Sequence, residues 1–589
     1  MSPSLRKIAA GLLAIVGVQL WLVFGRGDWG YLPGPIIWAA ILLFALLPPA
    51  NRRIAQVFER IAQPGPRMRL IVAFALAIVA GGYLYFTAVH QHRDFFLKIH
   101  DEHSYAIQAR MLATGRLWMP SHPAAESFDS PYVLVQPVYS SMYFPGTALM
   151  LVPGVWLGLT WWATPLILSA ACVGVLYRVV TELIDGVAGL LAALMLVSLQ
   201  TFREFSLRLY SQTPMLLLAL CVIWAWLVWR RDPRWPRGLI LGLLAGWAMI
   251  VRPLDGLIVL VPIGLAMALN SRRPDRRTIV AIAFGTLPFL SLQLIANRGI
   301  TGAWFMTPYS FYIERDFPGV TLGFHTPRPT SMLVTTVPQK RALYRDAIIP
   351  IERHRPGSIL PRMFRDRLPL TASVTLPNNL LLILLPLGVA ALFSPRRAGP
   401  RVWVIAAPLL LFVLIYAFYL FSAAHYLLVV APAMIVLIVL AVHELPSLWP
   451  RAANALVVLM TFAIVALSLF ALPEFHRTVY DDVGPGDLGE INKLLAELPH
   501  RPAIVLFQYR EGVSVHREPV YNVDTAAIDD AVVIRAHDLP GETNRRLLEY
   551  YASHQPQRHV YRVTRALEGG PPPQLEYLGP VGAVSQRAR

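Results

Sequence analysis

The sequence predicts an all-α polytopic membrane protein, a bundle of about thirteen transmembrane helices, with a small C-terminal α/β soluble domain. Three observations predict it. Apolar runs recur along the whole 589-residue chain, 56% of the residues are hydrophobic and mean hydropathy is +0.51. Charged residues make up only 15%, where a soluble domain carries about a quarter. The basic residues gather in short loops between the apolar runs, the positive-inside pattern of membrane proteins. That clustering also explains the net charge of +17 without a nucleic-acid-binding stripe. The lysines are Lys7, Lys98, Lys340 and Lys493, and the rest of the basic set is arginine. Cys172 and Cys221 both lie in apolar runs, so neither a disulfide framework nor a zinc spacing exists.

The chain reads in order as follows. The first apolar run, about 8–24, lacks a small-x-small cleavage site and reads as a retained helix. The second is about 31–49. A basic loop with Arg52, Arg53, Arg60, Arg67 and Arg69 follows. These residues, 1–69, form one expected unit: two N-terminal helices and a cytoplasmic loop. A span at about 70–89 leads into a long polar loop, 90–142. Further spans fall at about 145–178, 186–200, 213–229, 238–251, 254–270, 278–296, 377–394, 402–421, 425–443 and 453–472. This count puts three basic turns on the side of Arg52: Arg230 to Arg237, Arg272 to Arg277, and Arg396 to Arg401. The opposite, outer side then holds 90–142, the 201–212 loop, the Arg252-Pro253-Leu254-Asp255 turn, the long loop 297–376 and the Ser422–His425 turn. Residues 70–472 are the expected membrane core.

Residues 473–589 are expected to be an extracytoplasmic domain. Asp487–Leu498 reads as an amphipathic helix, and Ala503–Phe507, Ala531–Arg535 and His559–Val563 read as strands. Glu542–Tyr551 reads as a helix between the last two strands. Gly569-Gly570-Pro571-Pro572-Pro573 breaks any regular element.

Polar chemistry concentrates on the outer side. His100-Asp101-Glu102-His103-Ser104-Tyr105 starts a helix in which Tyr105, Ala109, Leu112 and Ala113 share one face, with Gly115 at its end. Asp101 can be a helix cap, or a carboxylate that deprotonates a hydroxyl or binds a cation at the membrane surface. Glu102 points elsewhere on the helix and has a separate task. His90, His92, His100 and His103 fit no zinc pattern; no cofactor is required, and a divalent cation at the carboxylates stays open. Arg252 can offer a two-pronged fork to a phosphate, or can pair with Asp255 to close a helical hairpin. Arg203 and Arg208 can bind an anionic head group or anchor a helix end by snorkelling. Tyr309, in Thr307-Pro308-Tyr309, and His425, in Ala424-His425-Tyr426, open further outer elements. No phosphate-cradling glycine loop or Ser-His-Asp order exists, and no cytoplasmic loop is long enough for a nucleotide-binding domain.

Asp101-Glu102-x-x-Tyr105-x-x-x-Ala109-Arg110, followed by Gly115 and Pro120, resembles the GT-C class of polyprenyl-phosphate-sugar-dependent glycosyltransferases. The protein O-mannosyltransferases and lipid A aminoarabinose transferases belong to that class. Ser211-Gln212-Thr213-Pro214, the Gly242–Gly256 stretch with Arg252-Pro253, and Tyr143-Phe144-Pro145-Gly146 add matches over about 70–440. Gln212 departs from the acidic residue often found there. The resemblance implies a GT-C-like fold in a bacterial inner membrane. It implies a polyprenyl-phosphate sugar donor and an acceptor hydroxyl on a glycan, lipid or protein, with inversion at the sugar carbon. It implies that Asp101 is the general base and that Glu102 orients donor or acceptor. Arg252, with Arg203 or Arg208, would hold the phosphate. Tyr105, Arg110, Gln212, Asp255, Tyr309 and His425 complete the expected substrate-binding set. Membrane lipids are the other expected partner; nucleic acid is not. Two other classes compete: a flippase for a lipid-linked sugar, which should carry ionisable residues at mid-membrane and a repeat, and a non-catalytic envelope-assembly subunit. Transfer of a whole oligosaccharide is a closer variant.

Overall fold

A computed structural model describes residues 41, 45–269, 273–335, 337–393, 400–472, 487–510, 512–565 and 571–587. The expected spans at 8–24 and most of 31–49, Arg272, Arg396 and Arg397, and the Gly569-Gly570 pair lie outside these residues.

Among the described residues the protein is mostly helical. Six helices are long and apolar enough to cross a membrane: Pro66–His90, Ala163–Leu183, Gln212–Arg231, Arg276–Thr301, Ala424–Leu448 and Pro450–Leu469. A bent pair, Pro356–Thr375 and Asn379–Leu392, makes a seventh if read as one span. Gly186–Ser198, Trp235–Val251, Pro253–Leu269 and Arg401–Tyr416 are apolar but shorter. The expected long span over 145–178 is two helices, Pro145–Trp156 and Ala163–Leu183, separated by a turn with Gly158 at φ +64°. The expected loop 297–376 is largely helical, and its last helix ends at Thr375. Leu376 is extended there, as expected of a residue before a proline. The next helix leaves at 101°.

Glycines set how closely two of these helices cross. Trp235–Val251 and Arg276–Thr301 pack backbone to backbone. A Cβ on Gly242 would stand 2.1 Å from the Ile282 carbonyl oxygen, and one on Gly285 would stand 2.5 Å from that of Leu239. Small residues permit such contact between membrane helices, where packing replaces the hydrophobic effect as the driving force. Gly242→Val should therefore destabilise the bundle by about 1–3 kcal/mol, read as a lower thermal unfolding midpoint in detergent.

The two ends of the bundle are chemically distinct. Arg178 and Arg231 converge on Glu182 at 2.5 and 2.8 Å. Asp185 faces His443, and the chain at Ile61 touches Gly186. The loops expected to be outer meet at the other end, described below.

The helix at the start of the long polar loop runs His100–Ala113. The expected face of Tyr105, Ala109 and Leu112 packs into one apolar cluster, but a second face is buried as well. His100, Glu102, His103, Ser104, Tyr105, Ala106, Ile107, Gln108, Ala109 and Met111 are all buried. One side packs with Ala148, Leu151 and Leu209. The other packs Ile107 and Met111 into the core of the C-terminal sheet. A small antiparallel sheet follows, β1 (Met119–Pro120), β2 (Val133–Leu134) and β3 (Val138–Ser141), in the order β1-β3-β2.

The C-terminal region forms a four-stranded sheet of β4 (Ala503–Gln508), β5 (Val533–His537), β6 (His559–Thr564) and β7 (Gln574–Pro580), in the order β5-β4-β6-β7. β4 pairs in parallel with β5 and β6, and β7 is antiparallel. The expected helices are Leu488–Ala496 and Glu542–His554. Two elements were not expected from the sequence: β7 and the helix Val581–Arg587. Both follow the Gly/Pro breaker at 569–573.

Candidate active site

The site assembles at the N-terminus of His100–Ala113. Asp101 is the one residue of the first turns that keeps part of its surface accessible beyond His100, Glu102 and His103, which are buried. Its Oδ1 accepts a hydrogen bond from the Tyr143 hydroxyl at 2.5 Å. It does not cap the helix. Burial raises the Asp101 carboxyl to about 6; the Tyr143 hydrogen bond and the Arg252 charge oppose that rise and Glu102 adds to it. Burial and the neighbouring Asp101 charge hold the Tyr143 phenol well above its ordinary value, so it stays a donor.

Glu102 takes the capping task that the sequence leaves open for Asp101. Its Oε2 accepts from the backbone N–H groups of Lys98 and Ile99 at 2.9 and 3.3 Å, as a capping-box glutamate does. The Arg208 guanidinium and the Leu209 N–H complete its shell, each at 3.4 Å. With both oxygens engaged and the residue 1% exposed, Glu102 anchors the helix and the 201–212 loop. Arg208, expected at an anionic head group, is here a partner of Glu102.

The Arg252–Asp255 pair forms. Arg252 Nε donates to Asp255 Oδ2. Its Nη1 donates to the Ser211 hydroxyl and its Nη2 to the Tyr416 hydroxyl, both at 3.1 Å. Tyr416 donates in turn to Asp255 Oδ1 at 2.7 Å, and the guanidinium lies 5.1 Å from the Tyr426 ring centroid. Asp255 is fully buried while the Arg252 side chain is 19% exposed. The structural and phosphate-facing readings are thus compatible: Nε is committed, and the fork is held by two exchangeable hydroxyls.

Tyr105 links the two halves. It is 3% exposed, stacks on Tyr143 at 4.4 Å and lies near Ser211, which accepts from Arg252. It is placed behind Tyr143 and not at the accessible edge of the site. Tyr309, partly accessible, stacks on Phe144 at 6.3 Å. The His425 ring packs among Phe205, Tyr210 and Tyr426 at 4.9, 5.3 and 4.6 Å. Gln212 is buried at the start of its helix, and its Oε1 has no hydrogen-bond partner among the described residues.

Two expected substrate ligands are not brought to the site. The Arg203 guanidinium is buried and donates to the carbonyls of Ser198 and Ala471, which ties helix ends together. Arg110 donates to the Val523 carbonyl at 3.2 Å and lies over Trp161. Both destinations depend on segments distant in sequence.

The sequence singles out the segments of Tyr143 and Tyr426 but not their roles, and it does not mark Tyr416: these three tyrosines contact Asp101 and Arg252. Nor does it mark the C-terminal region's contribution: the Tyr521 hydroxyl meets His100 Nδ1 at 2.9 Å, and its ring stacks on His103 at 4.4 Å. Burial lowers His103 to about 3, so it stays neutral. Among the described residues no group of three His, Cys, Asp or Glu side chains is placed to hold a metal ion. Asp101 and Glu102 in particular diverge.

Replacing Tyr143 by Phe removes a bond that favours the ionised carboxylate, so the Asp101 pKa should rise. Any activity that needs the carboxylate should then lose its acidic limb at higher pH than wild type, read from a pH–rate profile.

Residues 158–295 match the family model of dolichyl-phosphate-mannose-protein mannosyltransferases. The match contains Arg208, Ser211, Gln212, Arg252 and Asp255, and ends before Tyr309. A search of curated proteins finds no match. Among solved structures the chain is similar to ArnT from Cupriavidus metallidurans bound to undecaprenyl phosphate, at 12% identity over 84% of this chain and 92% of that one, with a TM-score of 0.48. It is similar to the apo oligosaccharyltransferase of Archaeoglobus fulgidus, at 13% identity over 84% and 69%, with a TM-score of 0.44. It is similar to the arabinofuranosyltransferase AftD from Mycobacteria, at 15% identity over 85% of this chain and 37% of that one, with a TM-score of 0.43. The family model and these structures are all GT-C glycosyltransferases, the class that the sequence resembles.

Proposed function

We propose that this chain is a membrane glycosyltransferase that moves a sugar from a polyprenyl-phosphate donor to an acceptor hydroxyl, with the site on the outer face of a bacterial inner membrane. One observation carries the reading: a carboxylate raised to about 6 shares a tyrosine-lined site with an arginine whose fork is held by two hydroxyls. The family match over 158–295 supports the lipid-phosphate donor.

In this reading Asp101 accepts the proton of the acceptor hydroxyl. The acceptor oxygen forms a bond to the sugar's anomeric carbon. The bond from that carbon to the phosphate oxygen breaks, and its electron pair leaves with the polyprenyl phosphate. A single displacement inverts the anomeric carbon. Arg252 exchanges Ser211 and Tyr416 for phosphate oxygens while Nε stays on Asp255, and so stabilises the departing charge. Asp255 is a positioning residue here. A shallow pocket lined by Met363, Arg367, Phe412, Tyr416, Tyr426 and Leu427 among others borders the Arg252 partners and offers a largely apolar wall to the start of the lipid.

Native mass spectrometry of the purified protein with added polyprenyl phosphate tests the donor class. The wild type should retain the lipid. The paired variant Arg252→Gln/Asp255→Asn, which leaves no buried charge alone, should lose it. Equal retention by both would remove Arg252 from the donor site.

A further inference from the structure

Tyr132 stands out from the rest of the site because its backbone is left-handed, with φ +64°. Glycine adopts that region without penalty and asparagine tolerates it, but a bulky side chain does so at a cost. Such outliers persist where the surroundings over-determine them, and they cluster at functional sites. Three elements hold this one. The Tyr132 N–H donates to the Tyr312 hydroxyl at 2.8 Å. Its carbonyl accepts from the Ser104 hydroxyl at 2.7 Å and from the Met142 N–H at 3.2 Å. Ser104 lies one turn after Asp101 on the same helix. The preceding carbonyl, of Pro131, accepts from the Tyr521 hydroxyl at 2.9 Å.

The pinned turn aims the ring at the site. Its centroid lies 5.5 Å from that of His100 and 6.0 Å from that of Tyr143, the donor to Asp101. Four rings surround it at interplanar angles of 59–86°. None of the rings recorded against it is stacked, whereas Tyr105 is stacked on Tyr143 and Tyr312 on Phe317. The residue keeps part of its surface accessible. The Asp101 charge reaches it: after burial, that charge is the largest influence holding its phenol protonated. An aromatic ring without a stacked partner, on a partly accessible residue and within reach of the Asp101 charge, suits a ring of C–H groups such as a pyranose or furanose, because the π face is electron-rich.

We propose that the Tyr132 ring, held beside Asp101 by its left-handed turn, is the surface against which the transferred sugar packs, and that Tyr132 is a specificity-determining residue. The inference rests on the glycosyltransferase reading. It adds a reason for the strain: the backbone conformation, held by three hydrogen bonds, sets the direction of the ring.

The test compares wild type with Tyr132→Asn and Tyr132→Phe in purified form. Each is given polyprenyl-phosphate hexose and polyprenyl-phosphate pentose, with release of polyprenyl phosphate as the readout. Asparagine keeps the left-handed turn and removes the ring. Tyr132→Asn should raise the donor KM at least tenfold and change the hexose-to-pentose ratio of kcat/KM at least fivefold. Tyr132→Phe should keep that ratio within twofold. The unfolding midpoint of each variant is measured alongside. A Tyr132→Asn protein that unfolds earlier but has an unchanged donor KM and ratio would overturn the inference and leave Tyr132 a structural residue. Turnover of neither donor by wild type would instead count against the glycosyltransferase reading itself. If Tyr132→Asn has no measurable turnover, its binding of the two donors by native mass spectrometry decides: unchanged relative retention overturns the inference, and a changed one upholds it.

Discussion

Asp101→Asn should lower sugar transfer by about 10²–10⁴-fold without unfolding the protein. The amide has the size of the carboxylate and can still accept from the Tyr143 hydroxyl, now 2.5 Å from Oδ1. It removes a charge whose burial is unfavourable, so the unfolding midpoint should hold or rise. The pH dependence follows with a definite sign. The carboxyl is raised to about 6, and a general base works only when ionised. Activity should therefore be level above about pH 7 and fall tenfold per unit below about pH 6. A profile that stays flat down to pH 5 would separate Asp101 from the proton transfer.

The second large effect is structural. Lys340 is buried, 1% exposed, with Nζ 2.6 Å from Asp129 and 2.8 Å from Asp316. It joins the polar loop after His100–Ala113 to the helices Pro308–Asp316 and Pro338–Arg353. Thr335 also bonds to Asp129, at 2.6 Å. Removing one partner of a buried pair leaves the other charge uncompensated, which costs about 3–5 kcal/mol. Lys340→Met should therefore destabilise the outer segments by that amount and expose 297–353 to limited proteolysis. Lys340→Met/Asp316→Asn should recover part of the loss, since only Asp129 then stays unpaired. Lys340→Met with unchanged unfolding and proteolysis would show that the cluster is not a clamp.

The sequence makes the membrane fold legible because a span needs a long apolar run, and such runs cannot be hidden. Asp101 and Arg252 are legible as charges where charge is expensive. The destinations of the other polar side chains are not. Glu102 differs from Asp101 by one position, yet it turns inward because the loop at Leu209 offers it an N–H and an arginine. Arg203 and Arg208 look alike in sequence and diverge completely in space. The tyrosines and the Lys340 cluster arise from pairs separated by 42, 180 and 211 residues, and no local periodicity encodes such pairs. The strained turn at Tyr132 is hidden for the same reason, since tyrosine is not a residue that signals φ above zero.

The central claim is that Asp101 is the base of a lipid-linked sugar transfer. The most direct measurement is a profile of glycans and lipid-linked sugars in cells carrying Asp101→Asn, the wild type or a deletion of the gene, with the first two at matched protein levels. The account predicts that the variant and the deletion lose the same glycan modification and that its polyprenyl-phosphate sugar donor accumulates in both. A variant with a wild-type profile, in conditions where the deletion loses the modification, would contradict it.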